Sequence, residues 1–73
     1  MDQYKAEIQR VHYDGTRSWV QVGSTRQSYD DAKNDLRLFF RHNAEWGNWK
    51  VGKTRILSRS VPEWVTVTEE DVN

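Results

Sequence analysis

Residues Tyr4 to Tyr13 alternate: Tyr4, Ala6 and Ile8 stand at period two, with Lys5, Glu7 and Gln9 between them. That pattern predicts a half-buried strand. Asp14-Gly15 follows as turn chemistry, because glycine accepts positive φ cheaply. Ser18 to Val22 then returns as a second strand. The loop length sets the faces, since a slip of one residue turns every side chain over. A two-residue loop would set Ile8 against Gln21. A loop over Asp14 to Thr16 sets Ile8 against Val22 and Val11 against Trp19, and is the expected register. Ile8, Val20 and Val22 then face a core, while Val11, Tyr13 and Trp19 share the other face.

The period changes after Gly23 to Gln27. Tyr29, Ala32, Leu36, Phe39 and Phe40 fall within a helical stripe about 100° wide. Ser28 is the expected N-cap, with Asp31 at the third helical position. Asp30 and Asp31 near the start, and Arg41 and His42 near the end, suit the helix dipole. Leu38 points away from the stripe and is expected in solvent. The helix is expected to end near Asn43, followed by a loop over Ala44 to Asn48.

Trp49 to Ser58 is strand-like but interrupted by Gly52. Trp49 and Val51 share one parity and Ile56 the other. Either a bulge at Gly52 restores the parity, or Val51-Gly52-Lys53 turns between two short strands. Val61-Pro62 breaks the pattern, and Trp64 to Thr68 reads as a final edge strand. The order is β-β-α-β-β: an α+β fold, a small antiparallel sheet of three to four strands with one helix on one face. Residues 1–68 form the expected domain, and the acidic residues 69–73 are expected as a frayed tail.

Charge refines this picture. The formal net charge is zero, yet residues 37–59 hold Arg37, Arg41, Lys50, Lys53, Arg55 and Arg59 against Glu45 alone. Glu63, Glu69, Glu70 and Asp71 make the last segment acidic. A basic middle can serve an acidic partner or be answered by the chain's own acids. With no cysteine there is no disulfide or thiolate metal site. The polar start MDQYKAEIQR is not a signal peptide and no long apolar run spans a membrane, so the expected compartment is the cytoplasm.

Candidate chemistry is sparse. No GxSxG elbow or metal-binding histidine spacing occurs, and no catalytic residue, metal or cofactor is expected. Gly47 to Thr54, GNWKVGKT, meets the P-loop pattern GxxxxGK[ST]. A phosphate loop needs a strand before it and a helix after it. Here a helix precedes the motif and strand-like RILSR follows, so the match is read as coincidence.

Four tryptophans exceed what one small core needs. A non-enzymatic binding module is therefore expected. Val11, Tyr13, Trp19, Trp49, Arg55 and Arg59 are the candidate contacts for a protein partner, because Trp, Tyr and Arg dominate interface energies. The alternative is a nucleic-acid site in which Trp46 and Trp49 stack bases while Lys50, Lys53, Arg55 and Arg59 take phosphates. A structural role in a larger assembly is a third reading, and edge-strand homodimerisation suits all three.

The runs YKAEIQRVHYDGTRSWVQVG, SYDDAKNDLRLFF and WKVGKTRIL resemble a pattern of small uncharacterised phage-encoded accessory proteins. That pattern has a strand, a G-x-x-W hairpin return (one residue longer here, from Gly15 to Trp19), a helix opened by Ser and acids, and an RI strand. The similarity spans roughly residues 4–57 and does not include WVTVT. It implies an accessory protein that binds and blocks a host defence or metabolic protein, acting in the host cytoplasm. It carries over no functional residues.

Overall fold

The computed structural model describes residues 2–60 and 62–72. Strands β1 (Gln3–Val11) and β2 (Arg17–Arg26) precede helix α1 (Tyr29–Glu45), and β3 (Lys50–Arg59) and β4 (Val65–Asp71) follow it. The four strands form one antiparallel sheet in the order β2-β1-β3-β4. This is the expected α+β architecture, with all four strands in one sheet. The non-sequential step is β1 lying between β2 and β3. It places the N-terminal strand at the centre of the molecule.

Alternation assigns the faces. Ala6, Ile8, Val22 and Ile56 turn one way and pack with Ala32 of α1. Tyr4, Val20, Leu36, Phe39, Phe40, Trp49 and Val51 surround that cluster, half-buried. Ser28 caps the helix by accepting the Asp31 N–H at 3.2 Å, and Leu38 lies in solvent as expected. The helix runs two residues past Asn43, and Trp46 is its C-cap. The Tyr29 hydroxyl lies 3.2 Å from Thr68 Oγ1, tying the start of α1 to β4.

The hairpin register differs from the expected one. Ile8 faces Val20, Ala6 faces Val22 and Val11 faces Arg17. The loop is Tyr13 to Gly15, closed by a His12 N–H to Thr16 C=O bond of 2.7 Å. Gly15 takes φ +90 at its last position, and Asp14 accepts both the backbone N–H and the hydroxyl of Thr16. These contacts hold Asp14's carboxyl below its ordinary range, the Thr16 hydroxyl contributing most. The slip is two residues, so parity and faces are preserved.

Gly52 resolves as a bulge in one continuous strand: Gln9 faces Lys53 while Arg10 faces Val51. A Cβ at Gly52 would lie 2.8 Å from Gln9 Oε1 and 2.9 Å from an Arg17 nitrogen. A second irregularity lies in β2, where Gly23, Ser24 and Thr25 stand opposite Lys5 alone. Gly23 has φ +73, and a Cβ there would collide with Asp35. Its missing side chain makes room for that buried carboxylate, which accepts Arg26 Nε and Nη2 at 2.8 Å each. The paired carboxylate raises the Arg26 pKa above its ordinary value.

Glu69 to Asp71 correct the expectation of a frayed tail: they are the last three residues of β4 and pair with Lys53, Thr54 and Arg55. Carboxylates opposite cations make this end of the strand a pairing surface. Val61, of the expected Val61-Pro62 break, and Asn73, at the end of the expected tail, lie outside the described residues.

Candidate functional site

The sheet face away from α1 is not apolar. Its central strip comes from the polar parity of β1 and β3, where Gln3 faces Arg59, Lys5 faces Leu57, Glu7 faces Arg55 and Gln9 faces Lys53. Glu7 is the hub. Its carboxylate accepts Arg55 Nε at 2.8 Å and Nη2 at 2.6 Å, and Lys5 Nζ lies 3.5 Å away. The Glu7 side chain is 11% exposed and that of Arg55 is 23% exposed, so the pair is shielded from water on most sides.

Two indoles flank this strip. The Arg55 guanidinium stands 3.8 Å from the centre of the Trp19 ring. Lys5 and Arg59 each stand 4.5 Å from the centre of the Trp64 ring. A cation over an indole is attracted by the ring's negative face, by about 0.5–2 kcal/mol depending on desolvation. Arg59 also donates to Gln3 through Nε at 3.1 Å, and Arg17 donates to Gln9 at 3.0 Å. Lys53 lies 3.9 Å from both Glu69 and Asp71. Among the described residues, no buried side-chain nitrogen or oxygen lacks a hydrogen-bond partner. The face is thus a pre-ordered layer of cations, carboxylates and amides between two half-buried indoles.

The candidate contacts divide among three places. Trp19, Arg55, Arg59 and the half-buried Val11 belong to this reverse face. Tyr13 projects fully exposed from the hairpin tip. Trp49 belongs to the helix side, with its ring centre 6.2 Å from that of Phe39. The nucleic-acid set divides as well: Lys53, Arg55 and Arg59 are on the reverse face, while Trp46, Trp49 and Lys50 stand where α1 gives way to β3. The P-loop-like run passes into β3 rather than a helix, and its Lys53 is engaged by Glu69 and Asp71.

Lys5, Glu7 and Gln3 were missed as site residues. Their signal is present in the polar parity of β1, but it gains meaning only once β3 is known to lie beside that strand. The histidines have local roles. His12 Nε2 lies 2.7 Å from Ser18 Oγ and staples the hairpin beside its turn. Asp14, the nearby carboxylate, is spent on Thr16. His42 lies in the last turn of α1. No helix is long and apolar enough to cross a membrane among the described residues.

No protein-family model, curated protein or solved structure matches this chain.

Proposed function

We propose that the chain is a non-enzymatic protein-binding module, of the phage type that inhibits a host protein, and that the reverse face of its sheet is the contact surface. The observation that carries this reading is the set of cations held over Trp19 and Trp64. Arg and Trp are the side chains that dominate interface energies when a partner removes water from them. Their geometry is set in the free molecule by Glu7 and Gln3, which lowers the entropy lost on association. A half-buried indole already flanked by folded structure also has little rotamer freedom left to lose.

The nucleic-acid reading draws less from the same geometry. Phosphate binding needs cations that can exchange small counterions for the backbone. Lys53 and Arg55 instead have carboxylates within reach on both sides of β3. Of that set only Trp49 and Lys50 bring a ring and a cation to one depression, away from Lys53, Arg55 and Arg59.

The test is capture from a host-cell lysate by immobilised full chain, compared among variants shown to fold by circular dichroism. Trp64→Ala and Arg59→Glu should each remove the captured protein, while Leu38→Gln, exposed on α1 away from the sheet, should not. Equal capture by all three variants would remove the reverse face from consideration. A labelled single-stranded oligonucleotide retarded at low salt and released steeply as salt rises would favour nucleic acid instead.

A further inference from the structure

The end of the molecule opposite the β3–β4 connection carries a feature that the reverse face does not use. Phe39, His42, Trp46, Gly47 and Trp49 line a shallow cleft of about 260 Å³ between the last turn of α1 and the start of β3. Trp46 is 82% exposed.

The cleft is held in shape. The Asn43 side chain donates to the Trp49 carbonyl at 2.9 Å and accepts the Trp49 N–H at 3.1 Å. The Trp46 N–H closes on the His42 carbonyl at 2.7 Å. Gly47 lies so close to Asn43 that a Cβ would strike its side-chain oxygen. The polar groups of Asn43 are therefore spent on the loop, and the walls offered to a ligand are mostly aromatic. Pockets for whole small ligands run to roughly 300–1,000 Å³. This one is sized for a single inserted side chain, and aromatic walls favour an aromatic guest packed edge to face.

Charge gives the guest's surroundings. A second depression shares Trp49 as a wall and is lined by Arg10, His12 and Lys50. The Arg10 guanidinium stands 4.1 Å from the centre of the Trp49 ring. Among the described residues no carboxylate lies within 4.0 Å of Arg10 or Lys50, whereas Lys5, Lys53 and Arg55 all have one. Two cations without carboxylates beside an unfilled aromatic cleft complement an acidic ligand. They are too few, and too much to one side, to track a nucleic-acid backbone, which takes a longer basic groove.

We infer that this end is a second docking site, separate from the reverse face, that takes an aromatic side chain of an acidic protein segment: the ring enters between Trp46, Trp49 and Phe39, and its flanking carboxylates meet Arg10 and Lys50.

The test is selection of a displayed library of random dodecapeptides on the full chain. Enriched peptides should carry an aromatic residue flanked by Asp or Glu. Added to labelled protein, they should move the indole N–H resonances of Trp46 and Trp49. Trp46→Ala, at a side chain outside the buried core, should weaken them by about tenfold or more. Lys50→Glu should weaken them too, and raised salt should do the same. Trp64→Ala, on the reverse face, should leave them unchanged. No enrichment, enrichment of basic peptides, or binding that survives Trp46→Ala would overturn the inference. So would a single-stranded oligonucleotide that shifts the same two indoles more tightly than any selected peptide.

Discussion

Glu7 and Arg55 offer a direct test of how the reverse face is held, through a double-mutant cycle of Glu7→Gln and Arg55→Met. The substitutions keep the size of each side chain and remove its charge. Arg55→Met leaves a side chain that still packs on Trp19. It strands the Glu7 carboxylate, 11% exposed, with only Lys5 at 3.5 Å. A charged hydrogen bond contributes about 1.5–3 kcal/mol net, and a buried charge left without its partner costs toward the upper end. Arg55→Met should therefore destabilise by about 2–3 kcal/mol. Glu7→Gln leaves a neutral acceptor in place, and Arg55, 23% exposed, keeps water and the Trp19 ring. Its cost should be smaller, about 1–2 kcal/mol.

The two should not add. A coupling energy of about 1–2 kcal/mol is expected, within the range for contacting charged groups. Urea unfolding followed by far-ultraviolet circular dichroism reads all four proteins without relying on Trp19 emission, which the variants perturb. A chain this short has a total stability of roughly 4–11 kcal/mol, so each variant should remain folded in water. Coupling below about 0.5 kcal/mol would refute the reasoning, because the pair would then behave as an ordinary solvent-screened ion pair. So would a larger cost for Glu7→Gln than for Arg55→Met.

Gly23→Ala should destabilise by about 2–4 kcal/mol in the same assay, since alanine disfavours φ +73 and its Cβ displaces Asp35 from Arg26. Ile8→Ala, at the fully buried centre, should cost about 2–5 kcal/mol, while Leu38→Gln on the outer side of α1 should stay within about 0.5 kcal/mol. Asp14 should titrate below the ordinary aspartate value of 3.8 in a carbon-13 carboxyl titration, and Thr16→Val should move its midpoint upward. Because the folded pKa is the lower one, the stability that Asp14 contributes is present above the unfolded pKa. It is lost as pH falls through the folded value. Backbone amides of β4 should exchange with deuterium faster than those of Glu7 and Ile8, because β4 is an edge strand with exposed Val65 and Val67; equal protection would contradict that.

What could be read directly from the chain was period and parity. The alternation of Tyr4, Ala6 and Ile8, the helical stripe from Tyr29 to Phe40 and the Ser28 cap describe contacts that neighbours in sequence decide. Gly52 was legible only in part: the parity change between Val51 and Ile56 called for a bulge or a turn, and the pairing with β1 decides for the bulge. The hairpin register was not, because it depends on whether Gly15 closes the loop or lies inside it. Asp14 accepting the Thr16 N–H and hydroxyl accompanies the observed loop, and the hydrophobic pattern does not encode those contacts. Buried Asp35 was also hidden. A carboxylate on the packed side of α1 reads as a surface residue until Gly23 is seen to leave it room and Arg26 to neutralise it.

The site was legible in its residue types and not in its grouping. Tryptophans and cations near one another in sequence, from Trp46 to Arg59, suggested one surface. Along β3 successive side chains point to opposite faces, so nearness in sequence separates them: Arg55 and Arg59 go to the reverse face, and Trp49 goes to the helix side. Grouping comes from β1, which the whole of β2 and α1 separates from β3 in sequence, and only the sheet order reveals it.

The sorted charge has the same explanation. β3 is the basic strand, and its neighbours on both sides carry acids at paired positions: Glu7 on β1, and Glu69 and Asp71 on β4. Part of the zero net charge is therefore a local cancellation between β3 and its two neighbours. That cancellation leaves Arg10 and Lys50, at the end where the bulge at Gly52 shifts the pairing, with no carboxylate opposite. The two most exposed aromatic rings, Tyr13 and Trp46, stand at this same end. An unanswered charge and an uncovered ring thus stand at the same end of this small domain, where the proposed second docking site lies.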